Sequence, residues 1–137
     1  MRYVVERDYL ANNIEIVKRE MGGVPVIGTV KANGYGLGTV QFARELVDNG
    51  IALLAAARSE EAAAVRNAGI DCPILLLSPV ADENEAELLI DRSITACVGS
   101  RDSALLLEET AQRRSAVIEA HLKLDTGFCL LYTSPSP

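Results

Sequence analysis

The sequence predicts an α/β fold, a parallel sheet covered by helices, and three observations carry that prediction. Short apolar, β-branched runs alternate with amphipathic stretches, the runs end roughly every 21 to 26 residues, and each is almost continuously apolar. That spacing is the length of a strand plus a helix, and a strand apolar on both faces is buried on both faces. With 137 residues and 49% apolar content, the chain is long enough for one core and short for two.

The elements follow in order. Leu10, Ile14, Val17 and Met21 recur at helical spacing behind Asp8, a candidate N-cap, and Gly22-Gly23 stops the run. VPVIGTV (24–30) reads as the first strand and leads through a Gly-rich loop to an amphipathic run opened by Thr39, through Phe42, Ala43, Leu46 and Val47, stopped at Asn49-Gly50. IALLAAA (51–57) precedes a helix from Ser59 to Ala68, stopped by Gly69. PILLLS (73–78) precedes a helix entered at Asp82, with Glu85 placed for a capping box. ITACV (94–98) leads to a helix capped by Ser100, and VIEAHLKLD (117–125) is a fifth strand. An open doubly wound sheet and a (β/α)8 barrel both satisfy this pattern, and periodicity does not choose between them.

Composition excludes several function classes. A net charge of −6 and a pI near 4.8 leave no clustered Lys and Arg for phosphate backbones, so no nucleic-acid partner is expected. The longest apolar run, 51–57, is far short of the roughly 20 residues of a membrane helix, and MRYVVERDYLANN has no apolar signal core, so a soluble protein of the cytoplasm is expected. Cys72, Cys97 and Cys129 are odd in number and lack CxxC spacing, which speaks against metal or disulfide roles; Cys72 and Cys97 read as small buried apolar residues.

Two stretches carry candidate chemistry. In TVKANGYGLG, Lys31 falls where the first strand should end, with three glycines around Tyr35 in the loop that follows. Such a lysine is either a solvated charge at a loop edge or, on the rim of a parallel barrel, a partly desolvated amine able to form a Schiff base with an aldehyde cofactor. Gly34, Gly36 and Gly38 are spaced G-x-G-x-G rather than G-x-G-x-x-G, and Arg58-Ser59 stands where a dinucleotide site needs an acid, which weakens a Rossmann reading. In HLKLDTGF, Lys123 and Asp125 alternate and are expected on one side of a buried strand, as a structural ion pair or a functional one. His121 shares their phase and reads as structural.

VKANGYGLG after a first helix and strand, with HLKLDTGF about ninety residues later, resembles the N-terminal barrel domain of the alanine racemases from Met1 to about Phe128. The resemblance implies an incomplete (β/α)8 barrel with about five parallel strands and flanking helices, residues 1–128 being a truncated domain that binds pyridoxal 5′-phosphate. By the same resemblance Lys31 would hold the cofactor covalently and exchange protons with the substrate α-carbon on one face. Tyr35 would hydrogen-bond the cofactor phosphate. Lys123 matches a lysine that is often carbamylated and orients an arginine a few residues further on; that arginine is absent here, and Leu37 stands where many members have histidine.

The family's second base, on the opposite face, is a tyrosine from the C-terminal domain of a partner subunit, so a homodimer acting on a small amino acid is implied, with D-alanine for peptidoglycan as its product. Relatives acting on serine or lysine, a fold-related decarboxylase and a non-enzymatic cofactor-binding barrel stay open.

The pattern breaks after Phe128. The string TGT CTC TTA TAC ACA TCT CCG AGC CCA encodes CLLYTSPSP and resembles a transposase end joined to a sequencing adapter, so residues 129–137 are expected to be a translated adapter and not native protein. Five strands of an eight-strand barrel would leave two open edges, and the 137-residue chain alone is expected to be inactive.

Overall fold

The computed structural model describes residues 4–126; the expected adapter tail and the Thr126-Gly127 turn fall wholly or partly outside them. The described elements are α1 (Arg7–Glu20), β1 (Ile27–Thr29), a short turn α2 (Lys31–Tyr35), α3 (Thr39–Asp48), β2 (Leu53–Ala56), α4 (Ser59–Asn67), β3 (Ile74–Pro79), α5 (Glu83–Asp91), β4 (Thr95–Val98), α6 (Arg101–Arg113) and β5 (Ala120–Leu122). The five strands are parallel and lie in chain order, β1-β2-β3-β4-β5. A doubly wound sheet reverses its order at a switch point, and a barrel does not. The sheet is thus a sector of a (β/α)8 barrel.

Apolar strands pack against apolar helix faces to make the core. Leu54, Ile74, Leu76 and Ala96 from the sheet meet Ala43, Leu46, Val65, Leu89 and Leu107 from the helices, all buried. Asp82 caps α5 by accepting from the Glu85 N–H at 2.9 Å, and Glu85 reaches past the cap to the Ala81 N–H at 2.8 Å. Ser100 caps α6 by accepting from the Ser103 N–H at 3.2 Å, and the Ser103 hydroxyl returns the bond to the Ser100 N–H.

Four expectations need correction. The first helix is entered from Glu6, so Asp8 lies inside its first turn and does not cap it. Only Ile14 of that helix is buried; Val17 and Met21 are nearly half exposed, and the apolar stripe of α1 borders a cavity between it, β1 and α3. β1 is limited to Ile27–Thr29, and Pro25, which has no N–H to give a ladder, lies before it. β5 is Ala120–Leu122, an exposed edge among the described residues, so the premise of charges on a buried strand does not hold there.

Candidate functional site

Parallel strands all end on one edge of the sheet, and in a barrel that edge is where functional side chains gather. Lys31 stands there, just past β1. Val30 is fully buried and its N–H donates to the Ala55 carbonyl of β2 at 2.8 Å, which anchors the chain immediately before the lysine. After it the backbone does something the Gly-rich reading did not foresee. Ala32, Asn33, Gly34 and Tyr35 all adopt left-handed geometry, with φ of 53°, 54°, 59° and 55°. For residues with a Cβ this costs about 1–2 kcal/mol each, so the turn must be held by its surroundings.

Hydrogen bonds hold it. The Gly34 N–H donates to the Val30 carbonyl at 3.1 Å, and those of Gly36 and Gly38 donate to Asn33 at 3.0 and 2.9 Å. Gly34 is itself buried, and a Cβ there would lie 3.1 Å from Phe42 Cβ and 3.3 Å from the Thr39 nitrogen. The Ala32 N–H donates to Glu61 Oε1 at 2.8 Å. Glu61 Oε2 accepts from the Ala57 and Arg58 N–H groups, both at 3.1 Å. One carboxylate on α4 therefore ties the loop after β1 to the loop after β2. Sequence reasoning missed Glu61, although its place at the third residue of a helix was a signal for a reciprocal cap.

Lys31 is exposed, as in the solvated one of its two readings, and among the described residues its amine makes no hydrogen bond or ion pair. Tyr35 is 60% exposed on the same turn. Lys123 lies at the same edge of the sheet but beyond β5, four strands across. It is half-buried; its N–H donates to Val98 at 2.8 Å and its Nζ to the Leu77 carbonyl at 3.4 Å. Thus Lys31 and Tyr35 share a turn, and Lys123 bonds neither. Asp125 and His121 are exposed.

Burial pushes the Cys97 thiol above its ordinary range, with the Lys123 charge pulling partly back. Burial likewise raises Cys72, against the Arg66 charge. Both cysteines are buried, as read from the sequence. No described helix is long and apolar enough to cross a membrane.

A barrel sector with a lysine where its first strand ends, its amine without a partner among the described residues, defines a class: a (β/α)8 domain with a rim lysine. The family described as "Alanine racemase, N-terminal domain" matches residues 5–129, and the chain belongs to it. The chain is 36% identical over 129 residues to "Alanine racemase 2" of Caldanaerobacter subterraneus subsp. tengcongensis, covering 92% of this chain and 32% of that protein. It is 35% identical over 128 residues to "Alanine racemase" of Methanococcus maripaludis, covering 93% of this chain and 34% of that one. An alanine racemase structure from Clostridium difficile 630 superposes with a TM-score of 0.80 at 30% identity, over 91% of this chain and 32% of its own. The chain spans about a third of the length of these relatives.

Proposed function

We propose that this chain is the N-terminal part of an amino-acid racemase of the cytoplasm that uses pyridoxal 5′-phosphate and interconverts L- and D-alanine as a homodimer. The observation that carries the reading is the Lys31 amine, uncommitted among the described residues, at the end of β1 in a chain whose residues 5–129 match the family. The residues fit the cofactor: an aldehyde requires an amine held by no carboxylate, and Glu61, which closes the adjoining loop, is committed to three backbone N–H groups. When bound, the cofactor supplies the electron sink that lets an amino acid release its α-proton.

Lys31 would hold the cofactor through its Nζ and would move the proton on one face of the α-carbon. Tyr35 donates its hydroxyl hydrogen to the phosphate. Lys123, at the same edge beyond β5, would be the third residue on the cofactor side of the sheet. Inversion requires a second base on the other face, so the activity is assigned to the complete dimeric protein and not to these residues alone. We read residues 1–128 as the native barrel segment and 129–137 as a non-native tail on the sequence pattern alone.

The test is borohydride reduction of the complete protein loaded with pyridoxal 5′-phosphate, followed by peptide mass mapping. A pyridoxyl group on Lys31, absent from Lys31→Ala along with L-alanine racemisation, is the expected result. A group trapped on another lysine in Lys31→Ala sinks the assignment. A trapped group on Lys31 with no racemisation of alanine, serine or lysine points instead to a cofactor-binding barrel without activity.

A further inference from the structure

We propose that Glu61 is a positioning residue for Lys31, an inference that rests on the cofactor reading of Lys31. Lys31 emerges between two anchors, the Val30 N–H bonded to Ala55 on one side and the Ala32 N–H bonded to Glu61 on the other. The first is part of the sheet. The second is a single carboxylate from another βα unit, and it stands at the entrance to a four-residue left-handed turn. The later N–H groups of that stretch find carbonyls within the turn, Gly34 bonding Val30 and Gly36 bonding Asn33, whereas the bond recorded for the Ala32 N–H is the one to Glu61.

The carboxylate form is what the site requires. Glu61 meets three donors and no acceptor: Ala32 on Oε1, Ala57 and Arg58 on Oε2. An ionised carboxylate has acceptor sites for all three. A glutamine of the same shape has one acceptor oxygen; placed on the two donors Ala57 and Arg58 it leaves its NH2 facing the Ala32 N–H, so that link opens. Release of Ala32 frees the peptide next to Lys31 and with it the direction of the amine. Reaction at a misdirected amine slows because the near-attack geometry is lost.

The experiment compares wild type, Glu61→Gln and Glu61→Ala in the complete protein, with Asp82→Ala as a control that removes the helix cap of α5 in the loop after β3, two strands from Lys31. Two quantities are read: the rate at which added pyridoxal 5′-phosphate becomes borohydride-trappable on Lys31, and hydrogen exchange of the Ala32 amide without cofactor. Both Glu61 variants should load Lys31 at least about tenfold more slowly than wild type. They should also exchange Ala32 faster while β2 and β3 amides stay protected. Asp82→Ala should change neither.

Glu61→Gln that loads at the wild-type rate, or leaves Ala32 exchange unchanged, overturns the proposal. If exchange speeds up as stated but wild type never gains a pyridoxyl group on Lys31, the Glu61 contact stands and the cofactor reading falls.

Discussion

Lys123 reaches across β4 and donates from Nζ to the Leu77 carbonyl of β3 at 3.4 Å. Leu77 lies where the β3–β4 register shifts, between Leu75 and Pro79. The amine thereby comes close enough to Cys97 to lower a thiol pKa that burial raises. A thiol raised in the folded chain keeps its proton at pH values where the unfolded chain has begun to lose it. Its contribution to stability is therefore intact below the ordinary thiol range, about pH 8.5, and is lost as pH rises through the raised value. We expect the urea midpoint to fall in alkali, less so in Cys97→Ala and Cys72→Ala. Lys123→Met should enlarge the alkaline loss and slow alkylation of Cys97. Identical alkaline profiles for wild type and both cysteine variants would refute this account.

Thr110 on α6 is 1% exposed, and its Oγ1 has no hydrogen-bond partner among the described residues. A buried hydroxyl left without a partner costs about 1–3 kcal/mol. Thr110→Val keeps the β-branched shape and removes the orphan, so urea unfolding should show a gain of about 1 kcal/mol. Thr110→Ala should lose stability, because it removes the hydroxyl and the methyl and leaves a void. A valine variant no more stable than wild type would mean that the hydroxyl is satisfied in solution.

The strands, the helices and two caps were legible because each depends on local pattern. Asp82 and Ser100 sit where a polar side chain can reach an N–H three residues on, and both do so. Asp8 has the same chemistry but not the place, since Glu6 already enters the helix. The choice between open sheet and barrel was not legible from periodicity. It depends on strand order, which is a property of pairing between distant segments. Lys31 and Tyr35 could be read together because their loop is contiguous, whereas the Glu61 contact was missed because its partner Ala32 lies 29 residues earlier. The left-handed turn was hidden for a related reason: Ala32 has no local preference for positive φ, and contacts from elsewhere impose it.

Arg66 gathers the ends of two βα units. Its Nε donates to the Arg92 carbonyl at 2.9 Å, one terminal nitrogen to Ile70 at 2.9 Å and to Cys72, and the other to Ser93 at 3.0 Å. These carbonyls follow α4 and α5, where helix ends leave acceptors without partners. A lysine carries the charge but not the planar fork, and it cannot reach four acceptors in three directions. Arg66→Lys should therefore cost about 1.5–3 kcal/mol, nearly as much as Arg66→Ala, in urea unfolding. If lysine restores most of the stability, charge rather than geometry holds these turns.

Gly28 lies in β1, three residues before Lys31, and is buried. A Cβ there would stand 2.9 Å from Leu46 Cδ1, 3.0 Å from Ile51 Cγ2 and 3.3 Å from Leu54 Cδ2. Its φ is not in the left-handed region, so the requirement for glycine comes from packing rather than from backbone strain. The two leucine methyls are ends of flexible side chains and can shift, Ile51 Cγ2 is fixed by its branched Cβ, and all three belong to the core that seats α3 on the sheet. Gly28→Ala should cost about 1–3 kcal/mol through overpacking, offset in part by the smaller entropy of the unfolded chain. If Leu46 Cδ1 is the obstacle, shortening that side chain should make room. The pair Gly28→Ala with Leu46→Val should then be less destabilised than the sum of the two single changes, by about 0.5 kcal/mol or more in a double-mutant cycle. Strict additivity would show that the added methyl is accommodated without moving Leu46, and the close approach of α3 to β1 would not be what requires the glycine.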